Sequence, residues 1–219
     1  MRQSNKRLSP KPLRFAFVVD GECEVWYLQM LKRNERKLGI TLSPQIPQKT
    51  KLEDQYNKVI ELSEDYDKVF WIIDLDVVNN ETLLAEKGTQ TPLQKLERYY
   101  NAIVKKNAKS KESSIIIIIN NPCLEFWFLL HFESTAKYFT DCNKAIDRLK
   151  KHLPNFDKTQ KYFTAQGNDI YLRLKPHLKS AIDNAKKLGD FDFQNPRAGM
   201  AQMQFFFELS GIDYENVKF

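Results

Sequence analysis

An α/β fold built on a mainly parallel sheet flanked by helices, with a mostly helical C-terminal part, is what the sequence predicts, on three observations. Short apolar runs rich in β-branched and aromatic residues alternate with longer stretches of helical periodicity, the pattern of strands joined by crossover helices. One run, residues 114–120, holds five consecutive isoleucines, which suits a central strand buried on both faces. Two other runs end in acidic residues, and the carboxyl ends of parallel strands are where such sheets bind ligands.

Taken in order, residues 1–13 read as a flexible basic arm, with Arg2, Lys6, Arg7 and Lys11 set among prolines, and residues 14–219 as a single domain. RFAFVVD, residues 14–20, is a buried strand. Val25, Leu28, Leu31 and Leu38 then recur at helical spacing over residues 22–38, ended by Gly39. A Pro-punctuated strand over 41–46 leads into a helix over 52–66 and the strand KVFWIID, residues 68–74. The polar stretch 77–90 reads as irregular, and Pro92 opens a helix that runs to Lys106. After the isoleucine strand, helices are expected over 124–132, 143–152, 169–188 and 199–210.

A chain of 219 residues with 42% hydrophobic residues can bury one substantial core. No apolar run approaches the roughly 20 residues that cross a bilayer, and the basic start lacks a signal-peptide core, so the expectation is an unexported, cytoplasmic protein with no membrane partner. Three cysteines, Cys23, Cys123 and Cys142, form an odd set without metal-ligand spacing, which argues against both a disulfide and a zinc site. The net charge of +6 permits attraction to nucleic acid, but the clusters Lys105, Lys106, Lys109, Lys111, then Arg148, Lys150, Lys151, then Lys186, Lys187 read first as solvated helix faces. With seven glycines there is no phosphate-binding loop motif.

The chemistry concentrates at two strand ends: Asp20, Gly21, Glu22, Cys23, Glu24 after the first, and Asp74, Leu75, Asp76 after the later one. Carboxylate oxygens suit hard divalent ions, which keep places for water and phosphate. Asp74 and Asp76, two apart, share a side if the backbone is extended. Such residues also cap helices, and each group alone favours that reading; together, with Gly21 allowing close backbone approach, they favour a metal site.

These residues carry a resemblance. VVDGECEVWY, residues 18–27, resembles the first Toprim motif in its RloB form, and IDLD, residues 73–76, resembles the second. NNPCLEFWFLLHF, residues 120–132, is similar to the more specific RloB signature, with LPNFDK and NPRAGMAQM further on. The likeness spans roughly residues 14–210, and it departs at Asp20, where the family usually has glutamate, and at Cys23, where it has threonine.

A resemblance to the RloB-like family, proteins of the AbiLii abortive-infection type, implies a Toprim-like, Rossmann-related fold akin to the nucleases of overcoming-lysogenization-defect proteins. It also implies a place beside an AAA- or ABC-type ATPase in bacterial anti-phage defence. By position it makes Asp20, Glu24, Asp74 and Asp76 the acidic set for Mg²⁺ or Mn²⁺. Glu125 is then a further ligand, a partner of a ligand, or a buried carboxylate paired with a cation. Lys158 either neutralises a phosphate or is a surface lysine. His131 reads as a packed residue rather than a general base, and Trp26, Trp71, Phe126 and Trp127 as core. The implied activity is metal-dependent cleavage of DNA or RNA. The alternative is a non-catalytic module that binds nucleic acid or a partner and regulates an abortive-infection system. A nucleotide-transferring, primase-type role would need an NTP-binding element that the sequence does not display.

Overall fold

The computed structural model describes residues 13–19, 21–35, 40–45, 51–109 and 114–214. The expected basic arm lies outside them except for its last residue, as do Asp20, Gly39 and Lys111. Leu13 already belongs to the first strand, β1 (Leu13–Val18), which pairs in parallel with β2 (Ile40–Gln45) on one side and with β3 (Lys68–Asp74) on the other. β3 pairs in parallel with β4 (Ser114–Asn121) along its whole length, Lys68 opposite Ser114 and Asp74 opposite Asn120. A two-residue strand, β5 (Met200–Ala201), closes the edge antiparallel to β4, giving the order β2-β1-β3-β4-β5.

Side chains alternate along β1, β3 and β4, and both faces of these strands are buried. Phe15, Phe17, Phe70, Ile72 and Ile118 face one core, and Ala16, Val18, Val69, Trp71, Ile117 and Ile119 the other. The second core is covered by α2 (Leu52–Asp65), α3 (Leu75–Leu84) and α4 (Pro92–Asn107). The buried Trp71 indole there donates to Gln55 Oε1 at 2.8 Å, which offsets the cost of enclosing a polar N–H. α4 begins where the sequence places it, because Pro92 fits its first turn and Thr91 and Gln94 form a reciprocal capping box.

The first core lies under α1 (Glu22–Asn34) and the C-terminal helices: α5 (Leu124–Leu130), α6 (Cys142–Leu149), α7 (Gln160–Phe163), α8 (Ile170–Leu174), α9 (Leu178–Lys186) and α10 (Gln204–Ser210). Every residue of α5 is buried, so it is the centre of this layer. Asp169, fully enclosed, caps α8 through Leu172 N and receives Arg33 Nη2 at 2.7 Å and Asn34 Nδ2 at 2.9 Å, which fastens the end of α1 to α8.

Three expectations are corrected. Residues 77–90 are not wholly irregular, because α3 occupies their first half; its Leu75 and Val78 pack inward while Val77, Leu83 and Leu84 stay exposed, so no clean apolar face marks it. The single helix expected over 169–188 is interrupted by a 3₁₀ turn, Lys175–His177, where Pro176 lacks the N–H an α-helix needs. The segment expected as a helix from 199 starts instead as β5, with Gln202 Oε1 accepting from Ile119 N and Gln202 N donating to Ile119 O. Among the described residues no helix is long and apolar enough to cross a membrane.

Candidate functional site

The carboxyl ends of β1, β3 and β4 open on one pocket of about 340 Å³, whose lining includes Gly21, Glu24, Asp74, Asp76 and Lys158. Of the sequence-derived candidates, Glu125 stands just behind it and Asp20 lies outside the described residues.

Each side chain arrives for a local reason. The chain leaves β1 through Gly21 and enters α1, whose first turn carries Glu22 and Glu24. A Cβ at Gly21 would lie 3.1 Å from Glu24 Oε2, so the bare backbone there leaves room for the carboxylate to fold against the turn. Asp74 ends β3 at the position preceding α3, yet it does not cap that helix. It reaches across to β4 instead: Asn120 Nδ2 donates to Oδ1 at 3.2 Å, and the N–H of Leu124, at the start of α5, donates to Oδ2 at 3.1 Å.

Asp76 sits in the first turn of α3, so the extended-chain argument for its pairing with Asp74 does not hold; the strand-to-helix turn brings both to the pocket. Asp76 N donates to Pro122 O at 3.0 Å, which fixes this turn against the β4–α5 connection. Its carboxylate accepts from Val77 N at 2.8 Å, but burial prevails and raises its pKa above the ordinary aspartate value.

Lys158 Nζ lies 3.0 Å from Glu125 Oε1; the Glu125 side chain is fully buried and the lysine side chain 42% exposed. Of the three roles left open for Glu125, the structure has it as a buried carboxylate paired with a cation. Burial works against the Lys158 ammonium, but the Glu125 carboxylate outweighs it and holds the pKa above that of an ordinary lysine. Glu125 Oε2 lies 3.0 Å from Cys142 Sγ, and Lys158 Nζ donates to the same sulphur at 3.7 Å.

The cysteines correct the sequence reading most sharply. Cys123 and Cys142 form a disulfide, although a separation of 19 residues with no motif gives no sign of it. The fold makes the pair by setting the start of α6 on the start of α5. Cys23 lines the same pocket, so all three cysteines of the chain meet there. Burial, then the Glu125 carboxylate, pushes the Cys23 thiol up to about 12, so it is not a ready nucleophile.

His131 lies at the far end of α5, buried, with Nδ1 3.0 Å from Trp127 O, and burial pushes its pKa down to about 3. Trp71, Phe126 and Trp127 are core residues, whereas Trp26 is half-buried and also lines the pocket. The Tyr27 phenol is enclosed and receives Trp127 Nε1 at 3.2 Å; burial raises its pKa, which leaves it no role as a covalent nucleophile. In the basic clusters, Arg148 is paired with Glu133 and Lys186 with Glu208.

The donor set suits a hard divalent ion. Glu24, Asp74 and Asp76 supply carboxylate oxygens, and Asn120 Oδ1, buried beside Asp74, has no hydrogen-bond partner among the described residues. These carboxylates do not form a trio with oxygens all within 4.8 Å of one another; among the described residues only Cys123, Glu125 and Cys142 gather that closely. An ion held by Asp74 and its neighbours would therefore keep several waters, as magnesium commonly does.

A family model described as RloB-like protein matches residues 15–205 of this chain. No curated protein matches. Among solved structures, the crystal structure of an acetyl xylan esterase, AlAXEase, aligns over 90% of this chain and 96% of that chain at 17% identity, with a TM-score of 0.39. A likeness that slight carries no argument about chemistry.

Proposed function

Since the chain belongs to the RloB-like protein family, we propose that it is a divalent-metal-dependent nuclease that cleaves phosphodiester bonds of DNA or RNA, working with a Toprim-like site in anti-phage defence beside an AAA- or ABC-type ATPase. The observation that supports this most is the shared pocket of Glu24, Asp74, Asp76 and Lys158 at the carboxyl ends of parallel strands. Glu24, Asp74 and Asp76, with Asp20 by resemblance, would hold Mg²⁺ or Mn²⁺. When bound, such an ion lowers the pKa of water and offsets charge on the scissile phosphate.

The chain's own groups prepare the rest. Asn120 and the Leu124 N–H each engage one oxygen of Asp74, fixing the carboxylate at the pocket wall. Asp76 must lose its proton to act as a ligand, and burial makes that loss harder. Lys158, anchored by Glu125, sets a permanent positive charge at the rim where a phosphate would enter.

A second reading, a non-catalytic module that binds nucleic acid or the ATPase, is favoured by one feature: the three carboxylates do not close into a tight trio. One experiment separates the two. Purified protein is incubated with panels of DNA and RNA in Mg²⁺ or Mn²⁺, alone and with the neighbouring ATPase, beside Asp74→Asn and Asp76→Asn. Cleavage by wild type and its loss in both variants supports the nuclease; retained binding without cleavage in any combination supports the module.

A further inference from the structure

We propose that Cys123, Cys142 and Glu125 form a redox-gated zinc site, available when the Cys123–Cys142 bond is reduced and absent when it is formed. Their ligand atoms lie within 4.8 Å of one another, and among the described residues no other histidine, cysteine or acidic trio does so. The Cα atoms of the two cysteines are 5.7 Å apart, a separation at which two sulphurs can either bond to each other or converge on one small ion. The third donor, Glu125, is fully buried, as is Cys123, so the site is enclosed on its core side. Cys123 and Cys142 also line the 340 Å³ pocket, which leaves the fourth tetrahedral position facing solvent.

Two contacts show how the Glu125 carboxylate is served in the oxidised form. Sulphur in a disulfide carries no proton, so the Cys142 sulphur offers Glu125 Oε2, 3.0 Å away, no hydrogen bond. The positive charge is supplied by Lys158, whose Nζ lies 3.0 Å from Glu125 Oε1 and 3.7 Å from Cys142 Sγ. Its side chain is 42% exposed and able to swing away, whereas Glu125 cannot leave. Zinc and the Lys158 ammonium thus compete for the same carboxylate.

The chemistry balances in two steps. A dithiol reductant delivers two electrons and two protons to the Cys123–Cys142 bond and is itself oxidised to a disulfide, leaving two thiols. Zn²⁺ then displaces the two thiol protons into solvent, giving two zinc–sulphur bonds and one zinc–carboxylate bond. This proposal does not depend on the nuclease reading, since the hard-ion donors Glu24, Asp74 and Asp76 take no part in it.

The test is zinc titration of the full chain against a chromophoric chelator, after reduction by a phosphine, which unlike a thiol competes weakly for zinc. In competition with the chelator, the reduced protein should take up one equivalent more than protein reoxidised to the disulfide. Cys142→Ser and Cys123→Ser should each weaken binding by more than about 100-fold, beyond what loss of an outer hydrogen-bond partner usually costs. Glu125→Gln should weaken it and Lys158→Ala should tighten it. Cobalt in place of zinc should give thiolate charge-transfer absorption, a signature that carboxylate ligation cannot produce. Reduced wild type that binds no zinc, Cys142→Ser that binds as tightly as wild type, or cobalt without thiolate absorption would each overturn the proposal.

Discussion

At Asp76, burial opposes the charge that a metal ligand must carry. Its folded-state pKa is raised, so the folded chain holds this proton more readily than the unfolded chain. The resulting stabilisation is fully present below the unfolded value and is lost as pH rises through the folded one. Asn does not titrate. Measured without metal, the Tm of Asp76→Asn relative to wild type should therefore climb from acid to neutral pH, and a difference that stays flat would contradict the assignment. At Lys158 the logic is reversed, because removing the ammonium strands a fully buried carboxylate. Lys158→Met should cost about 1–3 kcal/mol, less than a wholly buried pair because the lysine is partly solvated. The double variant with Glu125→Gln should recover most of that loss in denaturant unfolding; no recovery would mean that the pair is not what stabilises this corner.

Among the elements, the β5 edge is held by contacts that leave little room. Asn121 Nδ2 donates to both Pro196 O at 2.7 Å and Ala198 O at 2.8 Å, and a Cβ on Gly199 would stand 2.5 Å from Lys137 O and 2.6 Å from Phe126 Cζ. Because a backbone carbonyl cannot move aside cheaply, Gly199→Ala should cost about 1–3 kcal/mol and lower Tm by several degrees, and an unchanged Tm would refute the contact. Nothing in the sequence around 195–203 announces this, since a two-residue strand has no periodicity to read. β1, β3 and β4 were legible because apolar β-branched and aromatic runs, above all Ile115 to Ile119, have one stable use. α3 was not, because its apolar residues form no single face: Leu75 and Val78 are buried, but Val77, Leu83 and Leu84 are exposed. The carboxylates Glu24, Asp74 and Asp76 could be found from their places after strands, whereas Asn120 and Cys142 acquire their roles only when β4, α5 and α6 are set together.

For the whole molecule, the basic residues behind a net charge of +6 are spread over several helices, and some are paired within the chain, Arg148 with Glu133 and Lys186 with Glu208. Nucleic-acid affinity, if it follows this charge, should be tolerant of sequence and fall as salt rises from roughly 50 to 200 mM. Affinity indifferent to salt would point to a protein partner instead. In the proposed metal-dependent phosphodiesterase site, the acidic pocket beyond β1 and β3, Asp74 is the most constrained carboxylate. Asn at this position keeps an acceptor for only one of its two donors, so Tm must be recorded beside activity. The decisive measurement is the rate of DNA and RNA cleavage by wild type and Asp74→Asn in Mn²⁺, Mg²⁺ and chelator. Wild type should cleave only with metal, and a folded Asp74→Asn protein not above background. Cleavage by wild type in chelator, or equal rates in the two proteins, would contradict the proposed site.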